Sequence, residues 1–394
     1  MKKLFQGFDY TLIITPLILA TFGIVMIYSA SMVVAEVEGL GSTFYFKRQL
    51  MWFVVSVIGF LFCCIFPYKY YQKFTVPIVF ISFVLLASVA FFGDTVNRAT
   101  RSIELLGINV QPSELVKLTL IIYIASVYAK KQNYIGNFVQ GVIPPLVLTL
   151  GMVAFIVAQP DIGTATIILF IVGVIVASSG IRFRHLLLLF FVAAVIIIMA
   201  IPYLVTDTRI ARFSGAYQPF LDPEQDGYHL IQSYLAISGG GISGEGLGQS
   251  IQKLGYLWGA HTDFIMAVIA EELGIIGVVI VIGLFCLLTL RGLYFAKKCT
   301  DSFGALLAIG ITTMIGVQAI INLGAISGVL PITGVTLPFI SYGGSSLFVV
   351  MVSMGILNNV AKNIQMKGER SKVVQKESIN YKYGRGRTWS IDKR

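Results

Sequence analysis

Glu114 and Lys117 stand three residues apart inside an otherwise apolar stretch, where ionisable side chains are costly and mark function by default. Arg48, Asp161 and Asp263 each stand at the edge of another such stretch, as does the run Ser341-Tyr342-Gly343-Gly344-Ser345-Ser346. Basic side chains and the free N–H groups of helix starts suit a phosphate. A carboxylate beside them suits acid–base chemistry. Together these residues read as a site for an anionic substrate held at a membrane. Each also has a plainer reading. Arg48 and its neighbour Lys47 can snorkel to an interface. Glu114 and Lys117 have the spacing of a local helical ion pair, and Asp161, after Gln159-Pro160, has the position of a helix cap. Glu271 and Glu272 follow Asp263 by about two turns, roughly 12 Å along a helix, so at least one is expected to pair inside a bundle.

The elements that must position these groups are membrane spans. The chain of 394 residues is 56% hydrophobic and 12% charged, about half the charge fraction of a soluble domain. A span needs roughly 20 predominantly apolar residues. About ten stretches qualify: 10–30, 48–66, 74–92, 113–129, 142–159, 163–180, 185–205, 264–290, 303–327 and 337–360. The sequence therefore predicts an all-α integral membrane protein with about ten transmembrane helices in residues 1–361 and a basic cytoplasmic tail over 362–394. With ten spans both termini share a side. Placing them in the cytoplasm puts 21 of the 29 Lys and Arg residues there, which sets the orientation. The net charge of +10 then reflects topology and anionic lipid, not nucleic acid. In that orientation the starts of spans 2, 4, 6, 8 and 10, with the charged residues above, face outward.

Most loops are short, and the exception is the extracellular segment 206–263. Its aromatic and aliphatic anchors predict partial order, with a short helix over 227–238 lying near the membrane surface. Four cysteines and three separated histidines build neither a disulfide framework nor a zinc signature. The run Gly239-Gly240-Gly241-Ile242-Ser243-Gly244 spells G-x-G-x-x-G without the strand and βαβ context of a dinucleotide site, so its glycines are assigned to tight turns. Asp222 to Gly227 begins like a calcium loop, yet the twelfth position is Ser233. No serine or cysteine nucleophile arrangement is visible. Asp9 and the many later spans make the first apolar run an uncleaved helix.

Seven stretches, in order over residues 10 to about 360, resemble the SEDS family of peptidoglycan polymerases. They are Gly23-Ile-Val-Met-Ile-Tyr-Ser-Ala-Ser31, Phe46-Lys-Arg-Gln49, Gln111-Pro-Ser-Glu-Leu-Val-Lys117, Gln159-Pro-Asp-Ile-Gly-Thr164, Gly227-Tyr-His-Leu-Ile-Gln-Ser233, His261-Thr-Asp-Phe-Ile265 with Glu271-Glu-Leu-Gly274, and Pro338-Phe-Ile-Ser-Tyr-Gly-Gly-Ser345. The stretch Gly246 to Tyr256 resembles the division and sporulation branch (FtsW, SpoVE) more than the rod-elongation branch (RodA). Leu257-Trp258-Gly259-Ala260 departs from the family's Pro-Glu before His-Thr-Asp, and Arg98 to Ser102 keeps Arg101 but lacks the family's Gly and Trp.

The resemblance implies an inverting glycosyltransferase that polymerises lipid II, as donor and acceptor, at the outer face of the cytoplasmic membrane during division. It implies Asp263 as the catalytic carboxylate. Arg48, Arg101, Glu114, Lys117, His261, Thr262, Ser341, Gly343 and Gly344 are the substrate-binding candidates. It also implies a class B penicillin-binding transpeptidase and other divisome proteins as partners, and location at the septum. No cofactor is readable; a divalent cation, Mg or Mn, is compatible with a pyrophosphate leaving group, with no closed metal site in the sequence. The rival functions are a rod-elongation or sporulation member of the family, a lipid II flippase or other transporter, and a scaffold without activity. Clustering of the charges at one face favours chemistry there over carriage across the membrane.

Overall fold

The computed structural model describes residues 7–92, 94–96, 99–105, 108–204 and 207–384. Its long helices fall on the apolar stretches of the sequence. Helix α1 spans Thr11–Val37, α2 Phe44–Ile65, and the short α3 Lys69–Lys73 leads into α4, Thr75–Phe92. Helix α5 covers Pro112–Lys130, α6 Ile143–Ala158, α7 Ile162–Ser178 and α8 Phe183–Leu204. Two surface helices follow, α9 at Asp207–Tyr217 and α10 at Tyr228–Gly239; then come α11, Ile265–Lys298, α12, Ser302–Ile326, and α13, Gly344–Gly384. Among the described residues, seven helices are long and apolar enough to cross a membrane, and the apolar parts of α4, α7 and α8 are shorter. The protein is a multi-pass helical membrane protein.

Local chemistry sets several boundaries. Pro112 stands in the first turn of α5, where its missing N–H costs nothing. The carboxylates of Asp161 and Asp301 cap α7 and α12, accepting from the N–H groups of Thr164 and Gly304. A π-helical turn, Phe138–Val142, leads into α6.

Three findings go beyond the sequence reading. Between α4 and α5 the chain forms a three-stranded antiparallel sheet, β1 Asp94–Val96, β2 Ala99–Leu105 and β3 Ile108–Val110, in the order β1-β2-β3. Strands β1 and β3, at three residues each, fall below the roughly four residues at which alternation is legible, and β2 shows no clean apolar/polar alternation over its first half, Ala99 to Ser102. The all-helical expectation therefore missed them. Second, α13 runs past Ala361 to Gly384, because this part of the polar tail contains no proline and so nothing that must stop a helix. Third, α11 is broken inside by Gly274 (φ 64°, ψ −164°). In the long loop, the helix expected over 227–238 is α10.

The core lies where α5, α11, α12 and α13 meet, and α13 also packs along α2. At the opposite end of the bundle from the site, Arg291 binds Asp9 at 2.6 Å and Asn359 accepts from the Tyr68 N–H, tying α1, α3, α11 and α13 together.

Candidate active site

The starts of α2, α5, α7 and α13 meet at one end of the bundle around a cavity of about 250 Å³. Arg48 and Trp52 enter it from α2, Glu114 and Lys117 from α5, and Asp161 and Thr164 from the start of α7. Gln318 on α12 lines it, and Tyr342, Gly343 and Gly344 close it ahead of and into α13. Six charged or glycine positions singled out in the sequence thus share one cavity.

The Lys117 Nζ lies 2.8 Å from Glu114 Oε1, and both side chains are buried. The helical ion pair therefore forms, and it forms in the cavity wall. Lys117 is partly neutralised, which weakens it as a cation for a substrate. Glu114 Oε2 and Gln318 Oε1 are buried acceptors without a hydrogen-bond partner among the described residues. Buried polar atoms are ordinarily satisfied, so this wall is suited to a ligand that brings donors. Asp161 takes both expected roles: it caps α7, accepts from Ser113 Oγ at 3.3 Å, and lines the cavity. The formal charges of Arg48, Lys117, Glu114 and Asp161 cancel. Attraction for an anion therefore depends on the starts of α5, α7 and α13, whose N–H dipoles point to this end.

Arg48 lies over the Phe44 ring at 5.5 Å. Burial pushes the Tyr342 hydroxyl up from the ordinary phenol value, and the hydrogen-bonded Arg48 guanidinium pulls it the other way. The cavity-closing turn is held by close approach to α1, since a Cβ on Gly23 would fall 2.6 Å from Ile340 Cα and 2.8 Å from the Phe339 carbonyl oxygen. Glycine at 23 therefore has a packing reason.

Asp263, His261, Thr262 and Ser341 do not line this cavity; they form the layer beside it. The Ser341 hydroxyl donates to the Thr262 carbonyl at 2.7 Å and accepts from the Leu337 N–H at 2.9 Å, so it locks a turn. Thr262 Oγ1 donates to the Gly259 carbonyl at 3.1 Å and closes its own turn. Asn322 Nδ2 donates to the carbonyls of Asp263 and Val335, each at 2.8 Å, and Val335 lines the cavity. The His261 ring packs against Tyr45 and Tyr342, with centroids 4.7 and 5.7 Å away. Burial pushes its imidazole down to about 4, against the opposing pull of the Glu38 carboxylate, so His261 is neutral near pH 7. Arg101 falls on β2, and its side chain lies outside the described residues.

Sequence reasoning missed Trp52, Asn109, Gln318 and Thr336 in the lining. Gln318 carried a signal, as a polar side chain within an apolar span. Asn109 carried none, because its place depends on β3.

A polytopic helical membrane protein with a charged cavity walled by helix starts at one end is the class that fold and site define. The family model for FtsW, RodA and SpoVE, described as "Cell cycle protein", matches residues 10–366, and the chain belongs to that family. It is 46% identical over 382 residues to the "Probable peptidoglycan glycosyltransferase FtsW" of Bacillus subtilis (strain 168), covering 94% of this chain and 95% of that protein. It is 37% identical to that organism's "Stage V sporulation protein E", covering 90% and 97%. Among solved structures it is similar to a chain of "Structural coordination of polymerization and crosslinking by a peptidoglycan synthase complex", with TM-score 0.74, 28% identity and coverage of 91% and 98%. It is also similar to the rod shape determining protein RodA of Thermus thermophilus, with TM-score 0.67, 27% identity and the same coverage.

Proposed function

We infer that this chain is a peptidoglycan glycosyltransferase that polymerises lipid II into glycan strands at the outer face of the cytoplasmic membrane during cell division. The observation that carries the chemistry is the 261–263 turn, bound to the wall of a charged cavity through Asn322 at the Asp263 carbonyl and through the 341–342 turn at the Thr262 and His261 carbonyls. An aspartate carried on a turn tied to the wall of a polar cavity of about 250 Å³ fits an inverting transfer. Asp263 takes the proton from the acceptor sugar's 4-hydroxyl. The freed oxygen attacks the donor's anomeric carbon. The bond from that carbon to the pyrophosphate oxygen breaks, and undecaprenyl pyrophosphate leaves with the electron pair. A general base contributes about 10²–10⁴-fold. Positioning and stabilisation of the departing pyrophosphate by Arg48 and the helix starts supply the larger share.

Naming of the curated relatives as FtsW supports the division branch and the septum as location, and the Lys/Arg distribution supports cytoplasmic termini for a membrane domain of 1–361 with a basic tail over 362–394. Similarity to a chain from a complex that couples polymerization to crosslinking supports a class B penicillin-binding transpeptidase as partner. Among the described residues no three ligating side chains stand together as a metal group. A divalent cation, Mg or Mn, would draw on Glu114 and Asp161 and chiefly on the pyrophosphate itself.

The test is purified protein given lipid II, with and without its cognate transpeptidase, and scored for glycan chains. Polymer formation is expected. Translocation of lipid II across vesicles without polymer would overturn the reading in favour of a flippase.

A further inference from the structure

Away from the cavity, Glu272 accepts from Lys253 Nζ at 2.7 Å and from Ser29 Oγ at 2.6 Å. Lys253 Nζ also reaches Ser29 Oγ at 2.8 Å, and all three side chains are buried. Three distant parts of the chain therefore meet at one buried ion pair: α1, the 3-10 turn Gln252–Leu254 and α11.

The pair stands where α11 is broken. A break inside a bundle frees backbone groups that must find partners. The glycine-rich segment supplies them: the N–H groups of Glu245 and Gly246 donate to the carbonyls of Glu271 and Glu272 at 3.0 Å, and the Ile275 N–H donates to the Gly241 carbonyl at 3.0 Å. A Cβ on Gly274 would strike the backbone of Ile242 and Gly244. The run that spells G-x-G-x-x-G is thus the plug of a broken helix. The Glu271 carboxylate holds the following stretch, accepting from Ser250 Oγ at 2.5 Å and from the Ile251 N–H at 2.8 Å.

The break leaves Ile265–Leu273 as a short helical piece with Asp263 just beyond one end. The other end, about 14 Å away by helical rise, is fixed by this cluster. The Asp263 end is held at the cavity wall through Asn322, so the piece is fixed at both ends. Loss of the far anchor would let it turn at Gly274 and shift Asp263 relative to the cavity.

We propose that Lys253 is a positioning residue for glycosyl transfer: its ion pair with Glu272 fixes the helical piece Ile265–Leu273 and thereby the place of the Asp263 carboxylate. The proposal rests on Asp263 being the base. Lys253→Met alone leaves a buried carboxylate unpaired and can fail to fold for that reason. Lys253→Met/Glu272→Gln removes both charges and separates folding from positioning. The full-length protein is assayed for lipid II polymerisation per folded molecule, with kcat and KM resolved and the thermal transition recorded. The double variant is expected to fold, to lose about 10- to 100-fold in kcat and to keep KM within about twofold. Lys253→Arg, which keeps the charge opposite Glu272, is expected to retain most of the wild-type kcat. Ser29→Ala removes one hydrogen bond and no charge, and is expected to lower kcat several-fold. Wild-type kcat in the double variant, or in Ser29→Ala if the double does not fold, overturns the proposal. Asp263→Asn runs in parallel: if it is active, the base assignment fails first, and if it is inactive while the double variant is fully active, only the positioning role fails.

Discussion

The backbone N–H of Tyr342 donates to the carbonyl of His261 at 2.9 Å, joining the turn that closes the cavity to the turn that presents Asp263. No side-chain substitution removes that bond, but the parallel one from Ser341 Oγ to the Thr262 carbonyl can be removed. Ser341→Ala takes away this bond and the Leu337 contact, each worth about 1 kcal/mol. It is expected to fold, with a lowered transition temperature and a several-fold lower kcat, and Ser341→Thr to retain more activity. Equal activity in wild type and Ser341→Ala, measured by glycan synthesis, would show that the two turns need no coupling.

Asp263→Asn keeps the size of the side chain while removing the base. It is expected to express, stay in the membrane and lose at least about 10²-fold in polymerisation. Near-normal glycan synthesis by this variant removes Asp263 from the mechanism and makes Glu114 the carboxylate to test next.

The Glu114–Lys117 pair is structural and lines the site at once, and a cycle of variants separates the roles. Lys117→Met leaves a buried carboxylate unpaired, at a cost of about 3–5 kcal/mol, so low protein yield is expected. Glu114→Gln/Lys117→Met restores charge balance and is expected to recover yield but not substrate affinity. Recovery of KM together with yield would reduce the pair to a structural one.

Both termini are expected in the cytoplasm. In a background without the four native cysteines, Ser243→Cys should react with an impermeant thiol reagent from outside intact cells, and Ser371→Cys only after permeabilisation. Labelling of both from one side sinks the topology.

Much of this is legible in the residues alone. Ten apolar stretches are written as composition, and each long helix follows one of them. Glu114, Lys117 and Asp161 stand out because charge at membrane depth has no cheap alternative, and all three line the cavity. What stays hidden depends on contacts distant in sequence. Nothing near Lys253 indicates that its partner lies on α11 beside Ser29. Gly239 to Gly244 reads as turns locally, and its role as a plug exists only because Gly274 breaks a helix some thirty residues later. Ser341 and Thr262 stand out as substrate ligands through the run Ser341 to Ser346 and the neighbourhood of Asp263, and their hydroxyls make the bonds that hold the turns carrying them.

His261 offers a test of the buried layer that does not depend on activity. An unfolded histidine titrates near 6.5, and burial among Tyr45, Tyr342 and the 341 turn takes the folded value down to about 4. Between those two values the unfolded chain binds the extra proton and the folded one does not, so stability falls as pH falls. The contribution is fully present above about pH 6.5 and lost progressively toward pH 4, with a total of about 3 kcal/mol. Other carboxyl groups titrate in the same window, so the comparison is with His261→Phe, which keeps an aromatic ring against both tyrosines and cannot charge. The difference in thermal transition between the two proteins in detergent is expected to be constant from pH 8 to about 6.5. Below that the wild type should lose ground steadily, levelling near pH 4. A difference that stays constant down to pH 4 would mean that the imidazole takes its proton within the fold, and that the layer between Asp263 and the cavity is open to water.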